Sequence, residues 1–437
     1  MPLVRERAGR AGQAAASVAV WPADDLERRV IAALDFALLA VQDFGETGYA
    51  DAVRPALGFG PEKVVAEATM LAYAAAGASD SALVRARVDQ LAARVAPLVR
   101  SRAAAADLAL NPDRAFKRIV PHVLLTALGH PDPRFDAFAA TQAARALAHA
   151  SDEPATVLAE RRWIMGVWGQ KDAATPGIRP GTVLDRPFDL LVSSREDPYG
   201  LTHLLFYVTD FGRAPGVALG RPRAELLADV EALLIRYLDH EDYDLAGELL
   251  MAWPQLGAPW SPAAAFAFRV LADVEDAAGV LPCGNVDPER LATLKGVERT
   301  RYARAASYHT AFVMGFLCAT ILRSGVPLPL AGPAGADLES PDAWRAFRAM
   351  VADDRGHWQP VFERCEPAER RALAPMLCEL ALAQALRRRD YRALHEVLVE
   401  ARRLGMPSRP LPRAAADLLN ALGEAMELAE ARPEGVR

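Results

Sequence analysis

The sequence predicts an all-α protein assembled from helical hairpins, and three observations carry that prediction. Apolar residues recur at three- and four-residue spacing along nearly the whole chain, which gathers them on one side of a helix. No convincing stretch alternates apolar and polar residues with β-branched enrichment, as a half-buried strand would. The same stop keeps returning: TALGHP at Gly129, TDFGRAP at Gly212, PQLGAP at Gly257, RSGVP at Gly325 and RRLGMP at Gly405. A glycine just past a helix takes the left-handed cap conformation freely, and a following proline forbids continuation.

In chain order, the periodicity places helices over 24–44, 61–77, 80–108, 112–128 and 132–148, the fourth closing on the Gly129 stop. A helix over 154–168 carries Trp163 and Trp168 in RRWIMGVWG, large flat surfaces suited to packing first and ligand stacking second. Helices over 199–211, 221–239, 242–256 and 262–278 follow, the first and third closing on Gly212 and Gly257. The helix over 298–324 is apolar almost all round, which marks it as central, and Ala311, Gly315 and Ala319 leave a shallow groove along one side for another helix. Helices over 341–353, 368–387, 390–404 and 412–430 complete the chain.

Two of these segments align closely. DYDLAGELLMAWPQLGAPWSP from Asp242 and DYRALHEVLVEARRLGMPSRP from Asp390 share an Asp-Tyr opening, a Glu-x-Leu and a Leu-Gly-x-Pro stop in register, the mark of an internal repeat. YGLTHLLFYVTDFGRAP from Tyr199 and SYHTAFVMGFLCATILRSGVP from Ser307 fit more loosely. Tyrosine-to-glycine separations of 13, 14, 17 and 14 residues make each first helix about four turns long. Stacked hairpins of this kind form an α/α superhelix or, if the array closes, a toroid, and both present a concave inner wall. Pro/Gly-rich stretches at 174–187 and 325–341 break the pattern. The expected organisation is a mobile tail over 1–20, an N-terminal helical region over 21–173, a linker over 174–187 and a helical-repeat region over 188–437.

Composition removes several function classes. Net charge is −6 over 437 residues, and the basic residues are scattered singly along helices, so no basic stripe is available to neutralise phosphates and nucleic acid is not an expected partner. Hydrophobic residues at 52% and charged residues at 24% describe a folded globular chain. The longest apolar run, Ala311 to Leu322, falls short of the ~20 residues that span a bilayer, so no membrane association is expected. Four cysteines without a CxxC pair argue against a disulfide framework and for the cytoplasm. No phosphate-cradling glycine loop, HExxH pair or GxSxG elbow is present, so no nucleotide cofactor is expected.

Setting each tyrosine as a fixed point, positions one, four, five and eight after it share a helix face. They hold Gly200, His203, Leu204 and Tyr207 in the first unit, and Asp244, Gly247, Glu248 and Met251 in the second. The third unit holds His309, Phe312, Val313 and Phe316, and the last Arg392, His395, Glu396 and Val399. The candidate catalytic residues are therefore His203, Tyr207, Asp244, Glu248 and His309, with Asp210 continuing the His203–Tyr207 stripe. Histidines and carboxylates gathered in one cavity would suit acid–base chemistry or a divalent metal, which is the one cofactor left as a candidate. In the competing reading, the acids favour helix ends and the histidines donate to neighbouring helices.

The segments YGLTHLLFYVTDFG and SYHTAFVMGFLCA resemble those of a little-characterised all-helical family of actinobacteria, some members of which are associated with natural-product gene clusters. The resemblance covers roughly residues 199–325 and implies a place in secondary metabolism, without an activity to transfer. Lanthionine cyclases share an α/α toroid, but their adjacent Cys-His zinc ligands have no equivalent here. Two functions remain open. One is a helical-repeat protein that binds a peptide or a small biosynthetic intermediate on its concave face. The other is a tailoring enzyme, metal-assisted or not, with a His/Asp/Glu site.

Overall fold

In the computed structural model, the described residues are 19–44, 59–148, 153–170, 181–284, 286–331, 341–352 and 356–430. The expected tail over 1–20 falls outside them up to residue 18, as do 174–180 of the first Pro/Gly-rich stretch and 332–340 of the second. The described chain is all-α, as the periodicity predicts. In order, the helices are α1 (Ala23–Phe44), α2 (Pro61–Ala75), α3 (Ala82–Val99), α4 (Arg102–Leu110), α5 (Ala115–Ala127), α6 (Pro133–Leu147) and α7 (Ala155–Val167). Then come α8 (Glu196–Val208), α9 (Arg223–Asp239), α10 (Tyr243–Leu250), α11 (Ala252–Leu256), α12 (Pro262–Ala278), α13 (Pro288–Thr293) and α14 (Gly296–Ser324). The series ends with α15 (Ala343–Met350), α16 (Trp358–Glu363), α17 (Pro367–Ala372), α18 (Ala374–Arg388), α19 (Tyr391–Arg403) and α20 (Pro410–Glu430). An isolated antiparallel bridge joins Val20 to Pro329.

Every glycine named in the stops, Gly129, Gly212, Gly257, Gly325 and Gly405, has positive φ. The Asp-Tyr openings are N-caps: the Asp242 side chain accepts from the Leu245 N–H, and the Asp390 side chain from the Ala393 N–H. The aligned units thus begin and end on the same backbone chemistry.

Three predicted helices are each split in two, for local reasons. Pro254 offers no N–H to the Leu250 carbonyl and its ring crowds that turn, so 242–256 breaks at Met251. Pro375 does the same to 368–387 at Leu373. The break in 80–108 falls at Arg100–Ser101, where the Ser101 hydroxyl caps a new helix by accepting from the Ala104 N–H. The short helices α13 and α16 were not anticipated.

Helix α14 is central. Gly315 lets α1 and α2 close on it, since a Cβ there would stand 2.5 Å from Ala33 Cβ and 2.9 Å from Leu71 Cδ1. Ala311 and Ala319 are buried along the same helix, so the predicted groove serves packing. On the opposite side Gly247 brings α10 against α14, where a Cβ would meet Val313 Cγ1 at 2.5 Å. Helices from before and after the 174–187 stretch therefore share one hydrophobic core through α14. Arg29, buried on α1, adds ion pairs to Glu275 and Asp276 of α12. At 29 residues α14 is long and apolar enough to cross a membrane, but 89% of its most apolar stretch is buried within the protein.

Candidate functional site

Four helices meet beside α14. Helix α8 turns Tyr199, Thr202, His203, Phe206 and Tyr207 inward, a set at three- and four-residue spacing that forms one stripe. Helix α10 contributes Asp244 and Glu248 one turn apart, both buried. Helix α2 contributes Glu67, α7 contributes Glu160, and α14 contributes His309.

His309 is the centre of the cluster. Its Nδ1 lies 3.1 Å from Glu67 Oε2, and its Nε2 lies 3.3 Å from Asp244 Oδ1 and 3.6 Å from Glu248 Oε1. His203 approaches the same Glu248 oxygen, with its Nε2 at 3.8 Å. The outer oxygens of the two α10 carboxylates are held by α8: the Tyr199 hydroxyl donates to Asp244 Oδ2, and the Thr202 hydroxyl to Glu248 Oε2 at 2.6 Å. Arg195, at the start of α8, sits 3.6 Å from Asp244 Oδ2.

This concentration of charge shifts every titration in it. Burial opposes a charged His309, yet Glu67 and Asp244 outweigh it and lift the imidazole well above its ordinary range. Burial likewise opposes a charged Glu248, but hydrogen bonds and attraction from His203 and His309 bring it below the usual carboxylate range. Asp244 moves the other way, raised by burial and by the Glu248 charge beside it. His203 is raised, because Glu248 overcomes the cost of burial. With 41% of its side chain exposed, His203 touches cleft solvent while the protein surrounds it.

The cluster forms the floor of a cleft of about 630 Å³. Met70, Phe206, Phe211, Val313 and Phe316 supply apolar wall, and Lys63, Arg114, Lys117 and Arg118 also line it, Lys63 paired with Glu67 and Arg118 with Asp107. Across from His309, the Tyr207 hydroxyl donates to Glu160 Oε1 at 3.3 Å. Burial raises the Glu160 carboxyl, favouring its neutral form, and raises the Tyr207 phenol well above its ordinary value.

All five candidate residues, His203, Tyr207, Asp244, Glu248 and His309, are therefore brought to one place, with Tyr207 on the wall, His203, Glu248 and His309 at the floor and Asp244 against His309 just outside the lining. Of the tyrosine register in the first three units, His203, Tyr207, Glu248, Met251, His309, Val313 and Phe316 line the cleft, while Gly200, Leu204, Asp244, Gly247 and Phe312 do not. The register fails for the fourth. Arg392, His395, Glu396 and Val399 face solvent, because α19 buries its opposite stripe of Leu394, Val397 and Leu398. Asp210 also departs from its expected stripe. Helix α8 ends at Val208, Asp210 takes positive φ, and its carboxylate accepts from Trp163 Nε1 at 2.7 Å and from the Tyr73 hydroxyl at 3.0 Å. It lines a neighbouring cleft of about 1070 Å³ that lies on the other side of Tyr207. Trp253 and Trp260 stack on each other in the core, centroids 6.2 Å apart.

Sequence reasoning missed Glu67, Glu160, Tyr199 and Thr202 as site residues. Tyr199 and Thr202 carried a signal, since they share the His203 stripe one turn earlier. Glu67 and Glu160 carried none, lying on helices outside the aligned units.

A family described as a domain of unknown function, DUF6895, matches residues 42–319. The chain belongs to the DUF6895 family. The DUF6895 match spans every residue of the cluster, from Glu67 to His309, and stops before α19, whose polar face is solvated. No curated protein and no solved structure matches the chain.

Proposed function

We propose that this DUF6895 protein is a tailoring enzyme that transforms a small anionic molecule in the cleft. The observation that carries the reading is the position of His309, flanked by Glu67 on one ring nitrogen and by Asp244 and Glu248 on the other, at the floor of a cleft with an apolar wall. Buried carboxylates are costly unless they are paired, and a surface that only holds a ligand by shape has no need of several around one imidazole. The apolar wall suits a carbon skeleton, the lining Lys117 with its basic neighbours a carboxylate or phosphate on it, and the floor the reacting polar groups. Tyr207 and Glu160 form a hydrogen-bonded pair able to pass a proton across the cleft from the floor.

The hairpin array fits a superhelix or toroid whose inner wall is this cleft. Cys283, Cys318, Cys365 and Cys378 form no disulfide among the described residues, which fits a cytoplasmic enzyme, and the sequence resemblance supports a role in natural-product biosynthesis. The test is genetic and chemical. A strain deleted for the gene accumulates a new mass, and complementation with Glu248→Gln leaves the same mass accumulated while the wild type removes it. Rescue by Glu248→Gln and by Tyr207→Phe alike, with retention of the compound on the protein, would instead identify a passive binding scaffold.

A further inference from the structure

We propose that Asp244, Glu248 and His309 bind a divalent first-row transition-metal ion at the floor of the cleft. One donor atom from each of the three lies within 4.8 Å of the others. The spacings from His309 Nε2 are 3.3 Å to Asp244 Oδ1 and 3.6 Å to Glu248 Oε1. Two donors bound at about 2.0–2.2 Å to one ion at tetrahedral angles stand about 3.3–3.6 Å apart, so the two pairs that share His309 Nε2 already hold ligand spacing.

A cluster of acids alone would not carry this, and two further features do. Asp244 is 8% exposed, and its Oδ1 is enclosed without accepting any hydrogen bond, although it lies in the direction of His309 Nε2 and Glu248. A buried carboxylate oxygen with an unused lone pair needs an electrophile, and a cation supplies one. The second feature is the support around the three donors. Glu67 engages Nδ1 of His309, which turns Nε2 toward the two carboxylates; Tyr199 and Thr202 occupy Asp244 Oδ2 and Glu248 Oε2, which leaves Oδ1 and Oε1 for an ion. A carboxylate behind a ligating imidazole and hydrogen bonds behind ligating carboxylates are what orient a metal's ligands.

Charge agrees with geometry. Three carboxylates surround one imidazole; Lys63 reaches Glu67 at 3.7 Å, Arg195 reaches Asp244 at 3.6 Å and His203 reaches Glu248 at 3.8 Å, so a dication would take the place of the proton that His309 otherwise presents on Nε2 to the two carboxylates. One imidazole with two carboxylates suits zinc, manganese or iron(II) and is too small and too nitrogenous a set for calcium. Coordination positions left open would face the cleft, where Glu248 and His309 are both in its lining.

The inference rests on the enzyme reading only for what the ion would do there; binding itself is measured without substrate. The full-length protein is stripped with EDTA and titrated calorimetrically with zinc chloride and with manganese chloride, alongside elemental analysis of the protein as purified. One ion per chain is expected. Asp244→Asn should abolish it, and Asp210→Asn, in the neighbouring cleft, should leave it intact. Glu67→Gln, which removes support and not a ligand, should weaken binding about tenfold to a hundredfold. Should Asp244→Asn fail to fold, as read by circular dichroism, the wild-type stoichiometry and Glu67→Gln still decide. Neither metal binding to the wild type, or Asp244→Asn binding as tightly, overturns the site. A chain that binds metal yet turns over nothing keeps the site and removes the enzyme reading, whereas turnover by the metal-free chain does the reverse.

Discussion

Glu379 offers the sharpest stability test away from the cleft. It is fully buried on α18, and its Oε1 accepts from Arg409 Nε at 2.5 Å while Oε2 accepts no hydrogen bond. Arg409 also pairs with Glu231 of α9, so one guanidinium serves two carboxylates. Burial, only partly offset by Arg409 and reinforced by the Glu231 charge, pushes Glu379 up to about 7 from 4.5. The unfolded chain ionises this carboxyl near 4.5 and the folded chain near 7, so within that window unfolding releases a proton. Stability from this group is thus fully present below pH 4.5, falls as pH rises toward 7 and is level above it, a loss of about 3 kcal/mol. Glu379→Gln keeps an oxygen for Arg409 but cannot ionise. The assay is urea unfolding of wild type and variant at pH 4.5, 6, 7 and 8, because the difference between them cancels every other titration. The variant should match the wild type at the lowest pH and exceed it progressively to about 3 kcal/mol at pH 8. A difference that stays flat, or a variant weaker at pH 8, would show that ionised Glu379 gains more from Arg409 than burial costs it, and would refute the reasoning.

Three further outcomes are expected. Gly315→Ala should cost about 1–3 kcal/mol in denaturant unfolding, because its methyl would collide with Ala33 and Leu71, whereas Gly423→Ala, with nothing within 4 Å, should be neutral or stabilise α20 by up to about 1 kcal/mol. Thr202→Val should cost about 1–3 kcal/mol in the same assay, since Glu248 is buried and loses its hydroxyl donor, and it should also weaken metal binding. His395→Ala and Glu396→Ala on exposed α19 should change stability by less than about 0.5 kcal/mol and leave metal stoichiometry untouched, a result that separates the fourth unit from the three that build the cleft.

What could be read in the sequence was whatever one helix determines by itself. Asp244 and Glu248 share a face because they are one turn apart, and no tertiary fact is needed to know it. The stop glycines are equally local: positive φ at Gly257 or Gly405 is a demand of the helix end. The register linking His203, Glu248 and His309 went further, because the aligned tyrosines and stops repeat a backbone phase from one unit to the next. It broke at α19 for a reason no alignment contains. The apolar stripe of Leu394, Val397 and Leu398 has helices to pack on, but nothing in the described structure covers the opposite face, so the same polar positions meet water. Glu67 shows the other limit. It is 242 residues from His309 in sequence and reaches it because Gly315 lets α2 close on α14. That glycine was legible as a packing notch, and the helix it admits was not. The partner of the central histidine was therefore hidden in a packing decision, which is why a sequence rich in clues to the floor of the cleft held none to the carboxylate behind it.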